Sequence, residues 1–253
     1  MTQPLIVTSH PSRGVAVITM NRAREKNLLS IAMRSALSDA LVSCDRDADI
    51  HCMVITGGNH CFSAGADVAE FARFTSEELK AEKLEKYWEP IRRCDTPIIA
   101  AVNGHCLGGG LELALLADII VAGRCAIFAQ PEVKLGAMPG SGATQLMPRL
   151  AGKYKAMRYL LTGDQLTAAD AEALGLISEV VDDEQVQEFA KDLAVKIAGL
   201  PTMATRSIKR VVREGADLSL DQALQCERDA QLQLVGNDDQ LRLMDAFLNR
   251  RRR

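Results

Sequence analysis

PIIAAVNGHCLGGGLELALLAD (97–118) is the stretch on which the reading of this chain turns. It opens on a short apolar, β-branched run, as a buried strand does, and that run ends at Gly104. Gly108, Gly109 and Gly110 come next, then a segment of helical apolar spacing that Glu112 opens. Glycines let a backbone approach a ligand with no Cβ in the way. The first N–H groups of a helix have no intrahelical acceptor and sit at the positive end of its dipole. A phosphate loop is one use of such a turn. No G-x-x-x-x-G-K-[ST] is present, however, and a G-x-G-x-x-G starting at Gly108 would put its third glycine at Leu113. The better use is to stabilise a developing oxyanion, where losing one donor typically costs about 3–4 kcal/mol.

An oxyanion hole needs a second donor, and a second glycine-lined turn exists. HCFSAGADVAEF (60–71) follows the strand-like IHCMVITG (50–57) directly. Ala64, Gly65 and Ala66 are small, and Asp67 is able to accept backbone hydrogen bonds. A third stretch, AIFAQPEVKLGAMPGSGATQLMPRLAG (126–152), places Glu132 after a proline in a loop-like region. Each piece has a plain alternative. The turn suits any strand-to-helix connection, Glu112 suits any helix start, and Glu132 suits a solvated loop.

Around these stretches, GVAVITM (14–20), DIIVAG (118–123) and ISEVV (177–181) also read as strands. Helices are expected from a Ser30 N-cap, from Ser76 through SEELKAEKLEKYWEPIRRC, and from a Thr167–Asp170 capping box closed by Gly175. The alternation predicts an α/β fold of parallel sheets joined by helical crossovers. From about residue 184 everything reads helical, and composition shifts near Pro201. We place an α/β core at 1–198 and a helical region at 199–253, whose apolar faces must cover the core or a neighbouring subunit.

With 253 residues, 47% apolar and 25% charged, the chain suits one large domain, alone or with an appendage. A net charge of −3 gives no pull toward nucleic acid or anionic membrane. Only Arg250 to Arg253 are strongly basic, as a solvated tail is. No segment has the length of a membrane span, and the first ten residues carry no targeting pattern. The seven cysteines include no C-x-x-C, and the four histidines have no metal-ligand spacing. A metal-free, cytoplasmic protein with reduced cysteines is expected.

Together, FSAGAD, PIIAAVNGHCLGGGLELALLAD, FAQPEVKLGAMPGSGATQLMPRLAGKYKAM and LLTGDQLTAADAEALGLISEVV resemble the enoyl-CoA hydratase/isomerase (crotonase) family in order and spacing. The resemblance runs from GVAVITMNR nearly to the end. It implies a spiral of repeated ββα units with a helical C-terminal trimerisation region, giving homotrimers or hexamers. It further implies an acyl-CoA thioester substrate, with no cofactor beyond the coenzyme A that the substrate carries. Backbone N–H groups of Ala66 and Gly109 are implied as the oxyanion hole, and Glu112 and Glu132 as the catalytic carboxylates. Arg24 and Lys26 on one side, and Ala64, Asp67, Val68, Ala69 and Gly108 on the other, are implied for CoA and substrate binding. Retention of both glutamates favours hydration of a trans-2-enoyl-CoA over double-bond isomerisation, and an RNA-binding role is the remaining rival. The chain departs from the family at NRAREKNLLS, which lacks a proline and N-A-L, and at Ala143 and Leu146, where glycine and arginine are common.

Overall fold

The structure is a computed structural model that describes residues 3–250, the side chain of Arg250 excepted. Ten strands occur: β1 (Ile6–Ser12), β2 (Val15–Met20), β3 (Cys52–Thr56), β4 (Cys61–Ser63), β5 (Ile98–Val102), β6 (His105–Leu107), β7 (Ile119–Gly123), β8 (Ile127–Ala129), β9 (Leu166–Thr167) and β10 (Glu179–Val181). Among them run α1 (Ile31–Arg46), α2 (Val68–Phe71), α3 (Ser76–Glu82), α4 (Glu85–Arg93), α5 (Gly109–Leu115), α6 (Ala143–Ala151), α7 (Lys153–Thr162), α8 (Ala168–Ala173) and α9 (Val186–Ala198). Three more helices follow among the described residues: α10 (Thr202–Gly215), α11 (Leu220–Leu234) and α12 (Asp238–Arg250).

The strands form two sheets. The larger has the order β1-β2-β3-β5-β7-β10, and the smaller β4-β6-β8-β9. Pairs β3/β4, β5/β6 and β7/β8 each give their first strand to the large sheet and their second to the small one, which is the ββα spiral. Parallel pairing prevails, as expected, but β1 on β2 and β9 on β8 are antiparallel. The small sheet was not foreseen. Its strands are two or three residues long, too short to show a period.

Side-chain alternation in the large sheet divides the core. Ile98, Ala100 and Val102 of β5 face one cluster with Met33, Leu37 and Leu41 of α1 and Trp88 and Ile91 of α4. Ile99 and Ala101 face the other, which Val186, Ala190 and Ala194 of α9 cover. Strands buried on both faces read as continuous apolar runs, which is why β3 and β5 are plain in the sequence.

Helix starts follow their capping chemistry. Ser30 Oγ accepts from Met33 N–H at 3.2 Å, and Thr167 Oγ1 from Asp170 N–H at 3.1 Å. The helix expected from Ser76 does begin there, but Thr75 is its N-cap, in a capping box with Glu78. It is also two helices rather than one. Lys83 takes a left-handed backbone (φ 52°) and breaks it, and Pro90 is accommodated within α4.

The C-terminal helices are tied to the core through α10. Lys209 Nζ donates to the Thr96 carbonyl (2.9 Å) and pairs with Asp118 (2.8 Å), while Arg213 reaches the Cys94 carbonyl and Asp95. Among the described residues, no helix is long and apolar enough to cross a membrane. The cysteines there are all unpaired, and burial pushes the Cys52 and Cys94 thiols up to about 12.

Candidate active site

Two turns from different ββα units meet at the N-terminus of α5. Leu29 N–H donates to the Gly65 carbonyl at 2.8 Å, and Ser63 Oγ accepts from Gly65 N–H at 3.1 Å. Ser63 in turn donates to the Asn27 carbonyl at 2.8 Å. Asn27, fully buried with φ 49°, donates its amide to the carbonyls of Gly57, Cys61 and Phe62. These bonds fix the Ala64–Asp67 turn. Asp67 caps α2 by accepting from Glu70 N–H at 3.1 Å.

The three glycines each answer a separate need. A Cβ on Gly110 would lie 2.6 Å from the Ser63 carbonyl oxygen, so its absence lets α5 dock on β4. A Cβ on Gly108 would lie 2.7 Å from Glu132 Oε1, and its φ of +51° is itself strained for other residues. At Gly109, the Cβ position is 3.8 Å from the Ala66 amide nitrogen; at Gly65, it is 3.4 Å from the Gly109 nitrogen. The Ala66 and Gly109 amides are therefore neighbours, and neither donates to an acceptor among the described residues. Two adjacent orphan donors, one at a helix start, suit a thioester oxyanion.

Both glutamates stand around Gly108. Glu112, one turn into α5, donates its N–H to the Gly108 carbonyl and is 3% exposed. Its Oε1 accepts from Ser141 N–H (2.6 Å) and Ala143 N–H (3.2 Å) at the start of α6, which offsets the cost of burying a carboxylate. Ala143, where the family often has glycine, thus contributes through its backbone. Glu132 sits in a 3-10 turn, Pro131–Leu135. Burial, and secondarily the charge of Glu112, push its carboxyl up to about 7.

Buried Gln130 adjoins it. With its amide nitrogen turned to the carboxylate, it donates to both Glu132 oxygens, at 3.1 and 3.0 Å. In the opposite orientation Nε2 lies 3.4 Å from the Gly108 carbonyl, and the amide oxygen suits a protonated Glu132.

The expected CoA-binding segments also adjoin. Ala64 N–H donates to the Lys26 carbonyl at 2.9 Å, and Arg24, Lys26, Val68 and Ala69 are exposed beside it. Arg251 to Arg253 and the side chain of Arg250 lie outside the described residues.

The sequence profile of the "Enoyl-CoA hydratase/isomerase" family matches residues 10–253. The chain belongs to this family. It is 39% identical to a probable mitochondrial enoyl-CoA hydratase of Dictyostelium discoideum, covering 96% of this chain and 88% of that protein. A 1,2-epoxyphenylacetyl-CoA isomerase of Escherichia coli K12 is 36% identical, covering 97% and 96%. An enoyl-CoA hydratase crystal structure from Geobacillus kaustophilus HTA426 superposes with a TM-score of 0.95 at 37% identity, covering 98% and 96%. The crotonase fold read from the sequence is thereby shown.

This family member also holds groups at its site that motif reading passed over. Asn27 and Gln130 are single polar residues whose importance comes from their burial. Arg34, in the first turn of α1, is 5% exposed, and its guanidinium lies over the rings of Phe71 (5.1 Å) and Trp88 (5.0 Å). Helical spacing offered one hint, since Arg34 falls on the same face as Leu37 and Leu41.

Proposed function

We propose that the chain is an enoyl-CoA hydratase, adding water reversibly across the double bond of a trans-2-enoyl-CoA to give a 3-hydroxyacyl-CoA. The observation that carries this reading is a carboxylate against Gly108, Glu132, with a second, Glu112, close enough to act on it, beside two orphan backbone donors. A conjugated thioester has an electrophilic Cβ, but attack by water places negative charge on the thioester oxygen. The Ala66 and Gly109 N–H groups receive that charge. Glu112 takes a proton from the attacking water, and Glu132, neutral below about pH 7, gives its proton to Cα. A proton returned from Glu112 to Glu132 restores the starting state, so the net change is one water added and no electron moved. The two carboxyls act on one water.

The same reading assigns Arg24 and Lys26 to the CoA phosphates, and Ala64, Asp67, Val68, Ala69 and Gly108 to the pantetheine and acyl path. It requires no metal or redox cofactor. It places the enzyme in the cytoplasm as a trimer or hexamer built through α10–α12. Substituting Glu112→Gln or Glu132→Gln is expected to lower crotonyl-CoA hydration by about 10²–10⁴-fold while leaving butyryl-CoA binding nearly unchanged. Full activity in either variant would overturn the assignment.

An enoyl-CoA isomerase is the second reading, since the family named above includes isomerases. A proton shuttled between two carbons needs only one carboxylate beside the oxyanion hole, and this site presents two. Conversion of crotonyl-CoA to a product heavier by one water, read by mass spectrometry, reports hydration, because moving the double bond to Cβ=Cγ leaves the mass unchanged.

A further inference from the structure

The buried guanidinium of Arg34 has no part in the hydration chemistry above, yet it stands next to the oxyanion hole. Its Nη2 is 3.6 Å from the position that a Cβ on Gly109 would take. Its Nε donates to the Leu29 carbonyl at 2.9 Å. The other guanidinium N–H groups have no acceptor, and the side chain has no ion pair, among the described residues. Burial lowers its pKa to about 10, so it remains charged at neutral pH. Trp88, whose ring the guanidinium lies over, also has an unmet donor: its Nε1 is buried without a partner. The Nη groups of Arg34 keep a little accessible surface, so a ligand can reach them, and a nearly buried charge gains from a partner that completes its hydrogen bonds.

Nearby carboxylates do not complete them. Glu70 Oε2 accepts from Ile31 N–H at the start of α1, and Glu112 Oε1 is held by Ser141 and Ala143. Both act on Arg34 through the electric field, without a contact ion pair. The open donors thus stand beside Gly109, next to the amides that suit a thioester oxygen.

We propose that Arg34 is a specificity-determining residue that binds a carboxylate carried by the acyl chain, so that the preferred substrates are monothioesters of unsaturated dicarboxylic acids. This rests on the CoA-thioester reading of the site. Phe71 and Trp88 both pack against the guanidinium and hold it in place. A planar guanidinium offers two parallel N–H groups to a carboxylate, which a lysine cannot reproduce.

The test is binding of saturated esters by calorimetry, which does not depend on turnover: glutaryl- and adipyl-CoA against pentanoyl- and hexanoyl-CoA. At least one dicarboxylic ester is expected to bind about tenfold or more tightly than its alkyl counterpart. Arg34→Met is expected to erase that preference and Arg34→Lys to keep only part of it, with thermal melts confirming the fold. Equal binding of acid and alkyl esters by the wild type overturns the proposal even if neither variant folds. Equal binding of adipyl-CoA and its methyl ester overturns it too, because the site would then read a neutral oxygen. Failure of all these esters to bind, with crotonyl-CoA left unhydrated, would sink the CoA-thioester reading beneath it.

Discussion

Glu132 shows how one residue's environment sets its task. Its carboxyl titrates at about 7 against an ordinary 4.5, chiefly because it is removed from water. If it delivers the proton to Cα, kcat/KM for hydration should fall as pH rises through about 7. A pH–rate profile checks this, and the residual activity of Glu132→Gln should lack that limb. The same shift has a thermodynamic sign. Between about 4.5 and 7 the folded state holds a proton that the unfolded state has released, so the stability this group contributes is full below that window and lost above it. The Tm of Glu132→Gln should therefore rise relative to wild type between pH 5 and pH 8. A constant Tm difference across that range would contradict the raised pKa.

At the scale of elements, the site depends on how closely α5 sits against β4. Gly110 sets that distance, because a Cβ there would meet the Ser63 carbonyl oxygen, a backbone atom that cannot swing aside. Gly110→Ala should push the helix N-terminus away from the Ala64–Asp67 turn and misalign the two amides. We expect a loss of about 10²-fold in kcat, since a displacement on the order of 1 Å is enough, and about 1–3 kcal/mol of stability. Steady-state rates and thermal melts measure both. An alanine variant with unchanged kcat would show that the exact approach of the helix does not matter.

Across the whole molecule, apolar side chains gather on the outer faces of the last three helices. Met203, Ile208 and Val212 on α10, Leu220 and Leu232 on α11, and Leu241, Leu243, Met244 and Leu248 on α12 are all exposed in the single chain. Exposed apolar area on this scale marks an interface. We expect the protein to sediment as a trimer or hexamer, and a Leu243→Glu, Leu248→Glu double variant to shift it toward smaller species. An unmodified protein that sediments as a monomer at micromolar concentration would refute the assembly.

The chain itself determined the inner strands of the large sheet, because β3, β5 and β7 are buried and read as unbroken apolar runs, whereas β1, exposed along most of its length, was not read. Local capping chemistry likewise marked the starts at Ser30 and Thr167, while Lys83 broke a helix that the charge pattern ran straight through. The glycine turns and both glutamates were legible as separate pieces; their order and spacing carried the family resemblance. Only the tertiary structure showed that Glu112 is held by the start of α6, that Gly108 leaves room for Glu132, and that Gln130 borders it. The roles of Arg34 and Asn27 were hidden for the same reason, although helical spacing turned Arg34 inward. A polar residue's importance here comes from what surrounds it when water is excluded, and its surroundings are contributed by segments tens of residues away. Linear pattern records which face of an element turns inward; it does not record what that face meets.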